Sequence, residues 1–152
     1  MGLEFSFDDA HEFAAVLATA PSIVEREMVN AANRVALQGE AWAKAAAPVK
    51  AGHLRRSIAA TPAVYAGGVV TATFGTATPY ARHVEDGRGP VVAKKKALRF
   101  SIGGKVLFRK RVGPAAAKPF IRPTRERLAP LVPREFEAAL QRVVARIRQA
   151  MG

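Results

Sequence analysis

Hydrophobic positions recur along this chain with two different periods, and these divide it into segments. Over residues 3–7 (LEFSF) apolar and polar residues alternate, which is the period of a short strand. Asp8 can cap a helix over about residues 9–19, where Phe13, Val16 and Leu17 share a face, and Pro21 is expected to end it. A second helix over 22–47 carries the clearest signature. Ser22 with Glu25 three residues later forms a capping box, Val24, Met28, Ala31, Val35 and Trp42 make an apolar stripe, and Pro48 stops the alanine-rich run. Residues 54–65 and 69–74 read as strands around the Gly67-Gly68 turn and are expected to pair antiparallel. Pro79 to Glu85 reads as a short helix closed by Gly87. Residues 97–102 and 105–109 flank Gly103-Gly104, a hairpin signal. Residues 114–123 are proline-punctuated and extended. A C-terminal helix opening at Pro123 or Pro133 follows, with Phe136, Leu140, Val143, Ile147 and Met151 on one stripe. The sum is one α+β domain over 1–152. It has a small antiparallel or mixed sheet of about four strands, flanked by a long N-terminal, a short middle and a C-terminal helix. A basic hairpin at about 97–109 can project from it.

Charge alters this picture more than composition does. The 152 residues carry a net charge of +12, unevenly distributed: −4 over residues 1–49, +14 over 50–128 and +2 over 129–152. The cations Lys94, Lys95, Lys96 and Arg99 lead into the hairpin, and Lys105, Arg109, Lys110 and Arg111 lead out of it. Such a field points to a polyanion, most simply nucleic acid; the alternatives are a soluble basic surface or a patch matching an acidic protein partner. Only Phe100 and Phe108 are interleaved with these charges, which argues against a single-strand stacking platform. Any nucleic-acid contact is therefore expected to be electrostatic and blind to sequence. The chain has no cysteine, so thiolate zinc sites, thiol nucleophiles and disulfide scaffolds are excluded. No apolar run reaches the ~20 residues that span a bilayer, so no membrane partner is expected. The acidic start, without an early Lys or Arg, is unlike a leader peptide and points to a cytoplasmic site of action.

A catalytic constellation does not assemble from the sequence. His11, His53 and His83 have no metal-ligand spacing, and no HExxH, P-loop or GxGxxG motif occurs. Glu85-Asp86 is the only adjacent acidic pair in the basic region, and sequence neighbours rarely converge on one substrate atom. The expectation is a protein with no catalytic residue, metal or cofactor.

Three phrases carry a resemblance: PVKAGHLRRSI (residues 48–58), PYARHVEDG (79–87) and KPFIRP (118–123). In this order they resemble the small head–tail joining proteins of long-tailed bacteriophages, the gene-product-ten-like neck and tail-completion family. The matching positions are Gly52, Leu54, Arg55 and Ser57 in the first phrase. Tyr80, Ala81, Val84, Glu85 and Gly87 match in the second, and Pro119, Phe120, Arg122 and Pro123 in the third. Ala51, Asp86, Arg88 and Thr124 depart from the family pattern. The resemblance implies a homo-oligomeric ring in the virion, a hexamer first and a dodecamer second. It would be assembled in the host cytoplasm, between the head connector or stopper and the tail terminator or tail tube. Double-stranded DNA would cross its lumen, and the basic hairpin would face that lumen or dock on an acidic neighbour. Leu54, Ile58, Tyr80 and Val84 are expected to pack inward, Phe120 to fill an apolar pocket, Pro123 to start the last helix, and Glu85 to pair with a basic residue, within the chain or across a subunit boundary. The alternative, from charge alone, is a free sequence-nonspecific nucleic-acid-binding protein.

Overall fold

The computed structural model describes the backbone of residues 7–49 and 52–151, and side chains from residue 20 onward. The element order is α1 (Phe7–Ala46), α2 (His53–Ser57), β1 (Ile58–Ala66), β2 (Val69–Thr76), α3 (Ala81–Asp86), β3 (Val91–Val92), β4 (Leu98–Ile102), β5 (Lys105–Arg109), β6 (Arg111–Val112), α4 (Ile121–Leu128) and α5 (Leu131–Met151).

The expected break at Pro21 does not occur. One helix of 40 residues runs through it. Proline removes one intrahelical N–H bond, but strong helix formers on both sides, Ala18 and Ala20 before it and Glu25 to Met28 after it, carry the helix past the defect. The strand expected over 3–7 lies outside the described residues apart from Phe7, which opens α1.

α1 buries a face of small residues, Ala31, Ala32, Ala36 and Ala43, and Ala47 just beyond its end is buried too. Small side chains let other elements approach the helix axis closely. A Cβ on Gly39 would lie 2.6 Å from the Phe74 ring of β2 and 2.8 Å from Leu128 of α4. α5 packs along α1 in the opposite direction, because Arg34 pairs with Glu135 and Glu27 with Arg142. The buried line of α5 is Ala139 and Val143, with Leu140 and Met151 of the expected stripe left exposed.

The α+β class stands, and its strands form three two-stranded antiparallel sheets, β1–β2, β3–β6 and β4–β5. β1–β2 lies on α1. Its outer edge is held by helix side chains: the N–H of Ala60 donates to Glu40 Oε2 and that of Ala63 to Asn33 Oδ1, both at 2.7 Å. The register shifts between Thr61 and Val64, where Pro62 sits in the irregularity without a ladder donor to lose. LRRS, read as the start of a strand, is instead one short helix, α2, with the strand beginning at Ile58. Gly52, at φ 74°, starts that turn. The C-terminal region is two helices. Neither Pro123 nor Pro133 is the first residue; each occupies the third position of its helix, where an N–H has no intrahelical acceptor to lose.

Candidate assembly interface

The three phrases meet in one place. Ala43 of α1, Ala47 just after it, Leu54 of α2, Ile58 of β1 and Phe120 before α4 form a buried cluster, with Phe74, Ala81, Val84 and Ile121 packed against it. Phe120 is 1% exposed, so it does fill an apolar site. Tyr80 does not pack inward. It caps α3 with 44% of its surface exposed and borders a groove of about 720 Å³ with Leu54, His83, Val84, Arg88 and Lys118.

Glu85 is the joint between the second phrase and the third. Its Oε2 accepts the N–H groups of Phe120 (2.8 Å) and Ile121 (2.9 Å), and its Oε1 accepts that of Arg122 (2.8 Å). These are the unsatisfied donors at the start of α4, where the helix dipole also favours a carboxylate. Partial burial pushes the Glu85 carboxyl up, but the three N–H bonds and the nearby Arg122 charge outweigh it and hold the group below the ordinary carboxylate range. Within the chain, Glu85 therefore makes a backbone clamp in place of the expected ion pair with a basic side chain. The ion pair falls one residue on, where Asp86 meets Arg122 at 3.2 Å and Arg82 at 3.7 Å. Lys118 N–H donates to the Val84 carbonyl at 2.7 Å and tightens the same joint. Gly87 is required beside it. Its φ is 74°, and a Cβ there would lie 2.8 Å from both the Ala115 oxygen and the Ala117 nitrogen. Pro119 and Pro123 flank the clamped turn, and the Thr124 hydroxyl bonds the Phe120 carbonyl at 2.7 Å.

Ser57 has an analogous role in the first phrase. Its hydroxyl donates to the Leu54 carbonyl at 2.8 Å, closing α2, and lies 2.7 Å from Thr76 Oγ1 and 2.6 Å from Thr78 Oγ1 at the far end of β2. Arg55 points to solvent. Sequence reading missed three further contacts. Glu27, 3% exposed, is bracketed by Arg142 and Arg146 at 3.1 and 2.9 Å. The Arg127 guanidinium stacks 3.8 Å from the Trp42 ring centroid. Glu40 binds Lys44 as well as Ala60; the Lys44 bond foremost, then the Ala60 N–H, lowers its pKa against a smaller opposing desolvation. A helical i, i+4 spacing could have signalled only Glu40–Lys44.

The basic residues stand apart from this core. An isolated bridge between Arg88 and Ala115, then β3–β6, then β4–β5, form one long two-stranded arm from residue 88 to 115. The pairing shifts between Val92–Arg111 and Leu98–Arg109, which loops out Lys94, Lys95 and Lys96 on one strand. Arg99 lies on β4, Lys105 and Arg109 on β5, Lys110 between strands and Arg111 on β6, all exposed. The arm's strands pair with one another and make only sparse contact with the helices.

The motif residues of this small α+β body are thus occupied in holding helix ends and strands together, and a cationic arm stands off it. Residues 11–87 match the family described as "Bacteriophage HK97-gp10, putative tail-component", and the chain belongs to this HK97-gp10-like family. The match takes in the first two phrases and ends at Gly87; the third is tied to them through Glu85. No curated protein and no solved structure gives a significant match. Among the described residues, no helix is long and apolar enough to cross a membrane.

Proposed function

We propose that this tail component works as a ring at the head–tail interface of the virion. There it joins the head connector or stopper to the tail terminator or tail tube and surrounds the DNA path. Its role is structural, without catalysis, and it assembles in the host cytoplasm. The observation that carries this reading is the arm: residues 88–115 hold nine Lys and Arg and no acid, on a ribbon held away from the helical body. A surface of that charge suits a polyanion or an acidic neighbour. Family membership supports a virion structural part, and the copy number favoured is six, with twelve second. The occupation of Glu85 by three backbone N–H groups supports a non-catalytic role for this acid.

The test is deletion of the gene in a particle-producing strain, with the lysate imaged by electron microscopy. Filled heads separate from tails, or tails of altered length, are the expected outcome. Intact infectious particles would overturn the reading. The arm's charge also supports stand-alone, sequence-nonspecific DNA binding. In that case the purified protein would retain duplex DNA at low salt and lose it steeply as salt rises, through counterion release, and deletion would leave the particles joined.

A further inference from the structure

One edge of β2 is used by nothing in the described chain. Ala60 donates its N–H away from the sheet to Glu40, and its register partner is Phe74. In an antiparallel ladder such a pair turns the N–H and C=O of both residues outward, so those of Phe74 point away from β1. The alternation extends to Ala72 and Val70, while Thr73 donates toward β1, to Thr61 Oγ1 at 3.2 Å. Among the described residues, the outward N–H and C=O groups of Val70, Ala72 and Phe74 have no hydrogen-bond partner. The outer edge of β1 differs, because Glu40 and Asn33 occupy it. This two-stranded sheet can therefore grow only on the β2 side.

The space beside that edge suits a single extended chain. A groove of about 650 Å³ is lined by Val70, Ala72 and Phe74 and by no residue of β1, so it lies on the free side of β2. Its floor is Ala32 and Ala36 of α1, small and buried, and its far wall includes Val132 and Phe136 of α5. Phe74 and Leu128 come together over Gly39 at one end. α4 adds Arg122 and Arg125 against Glu126, and this helix has a net charge of +2. We infer that the groove binds an extended segment of a neighbouring protein as a third strand on β2, along Val70 to Phe74. Alternate side chains of that segment are apolar, for the floor and far wall, and an acid between them meets the α4 arginines. The arm of a second copy has the wrong chemistry for this place, since its nine cations would face those arginines. The contact goes beyond the functional reading above, because it holds wherever in the particle the protein sits.

Amide exchange in the full-length protein, read by NMR, tests the edge first. The N–H groups of Val70, Ala72 and Phe74 are expected to exchange at least about tenfold faster than those of Thr71 and Thr73. The probe is the synthetic peptide acetyl-SEVELEVS-amide, with acetyl-SKVKLKVS-amide and the arm sequence of residues 104–110 as comparators. The acidic peptide is expected to bind at least about threefold more tightly than either comparator at low salt, and to slow the three outward amides. Ala72→Pro removes an outward donor that no ladder bond uses, so it should keep the helical circular dichroism and lose the peptide. Arg125→Glu, at an exposed position, should cancel the preference for the acidic peptide, and it carries the test alone if Ala72→Pro unfolds. The inference is overturned if the three amides are as protected as Thr71 and Thr73 in the free protein. It is also overturned if millimolar acidic peptide slows none of them, or if binding survives in a folded Ala72→Pro protein. Tighter binding of the arm sequence would overturn it too, by giving the groove to a second copy. None of these results bears on the deletion phenotype, which tests the head–tail reading separately.

Discussion

Glu85 concentrates the chemistry of the motif in one side chain. A carboxylate facing three N–H groups at a helix start is a charged cap, and removing such a cap costs about 1–2 kcal/mol. Glu85→Gln keeps one carbonyl acceptor and loses the second acceptor and the charge. It is expected to lower stability by about that amount at pH 7, read from urea unfolding. The pH dependence has a definite sign. The carboxyl lies below its ordinary value in the folded protein, so its contribution is complete above the unfolded-state value of about 4.3 and is lost as pH falls through the lower folded value. The gap between wild type and Glu85→Gln should be flat from pH 7 to 5 and close as the medium becomes more acidic; a gap unchanged at pH 3 would contradict the clamp. Phe120 is a different case, because its contribution is packing. At 1% exposure, truncation to alanine leaves a cavity against Leu54 and Ile58 and should cost about 3–5 kcal/mol, measured as a fall in thermal midpoint.

Between elements, α1 organises the rest, and polar side chains on it decide how neighbours seat. Asn33 and Glu40 occupy the outward N–H groups of β1, so that this edge cannot recruit another strand. Glu27 meets α5 from a nearly water-free position between two arginines that are each more than 40% exposed. The two partners are not equivalent, since the acid depends on the arginines far more than they depend on it. Arg142→Ala with Arg146→Ala is expected to destabilise the protein by about 3 kcal/mol or more, because a buried carboxylate loses its counter-charges. Adding Glu27→Met to that pair should recover a large part of the loss. Thermal unfolding of the three proteins checks this, and equal stabilities would show that α5 is held by its apolar line alone.

For the molecule as a whole, body and arm are separable. The buried cluster lies in α1, α2, β1 and the residues around Phe120, and none of it comes from residues 89–113. Joining Gly89 directly to Gly113 should therefore leave cooperative unfolding, with a midpoint within a few degrees of wild type, while assembly into particles is lost. A truncated protein that fails to fold would mean that the arm supports the core. One that folds and still assembles would remove the arm from the interface.

Much of this was legible in the chain. Periodicity alone located the main helices and both Gly-Gly turns, because a 3.6-residue or a two-residue repeat and a turn residue are local properties. The order of the three phrases was enough to indicate the family, and the run of cations marked the arm. Tertiary structure decided the remainder. Pro21 interrupts nothing because a long helix can do without one hydrogen bond, and LRRS is helical because Ser57 and Leu54 close that turn. Glu85 clamps backbone rather than meeting a cation because the donors it satisfies are supplied 35 residues away by the start of α4. Glu27 finds its arginines more than a hundred residues on. Contacts of that separation leave no periodic trace in a single sequence, since they depend on which surfaces the fold brings together and not on the spacing of neighbours along the chain.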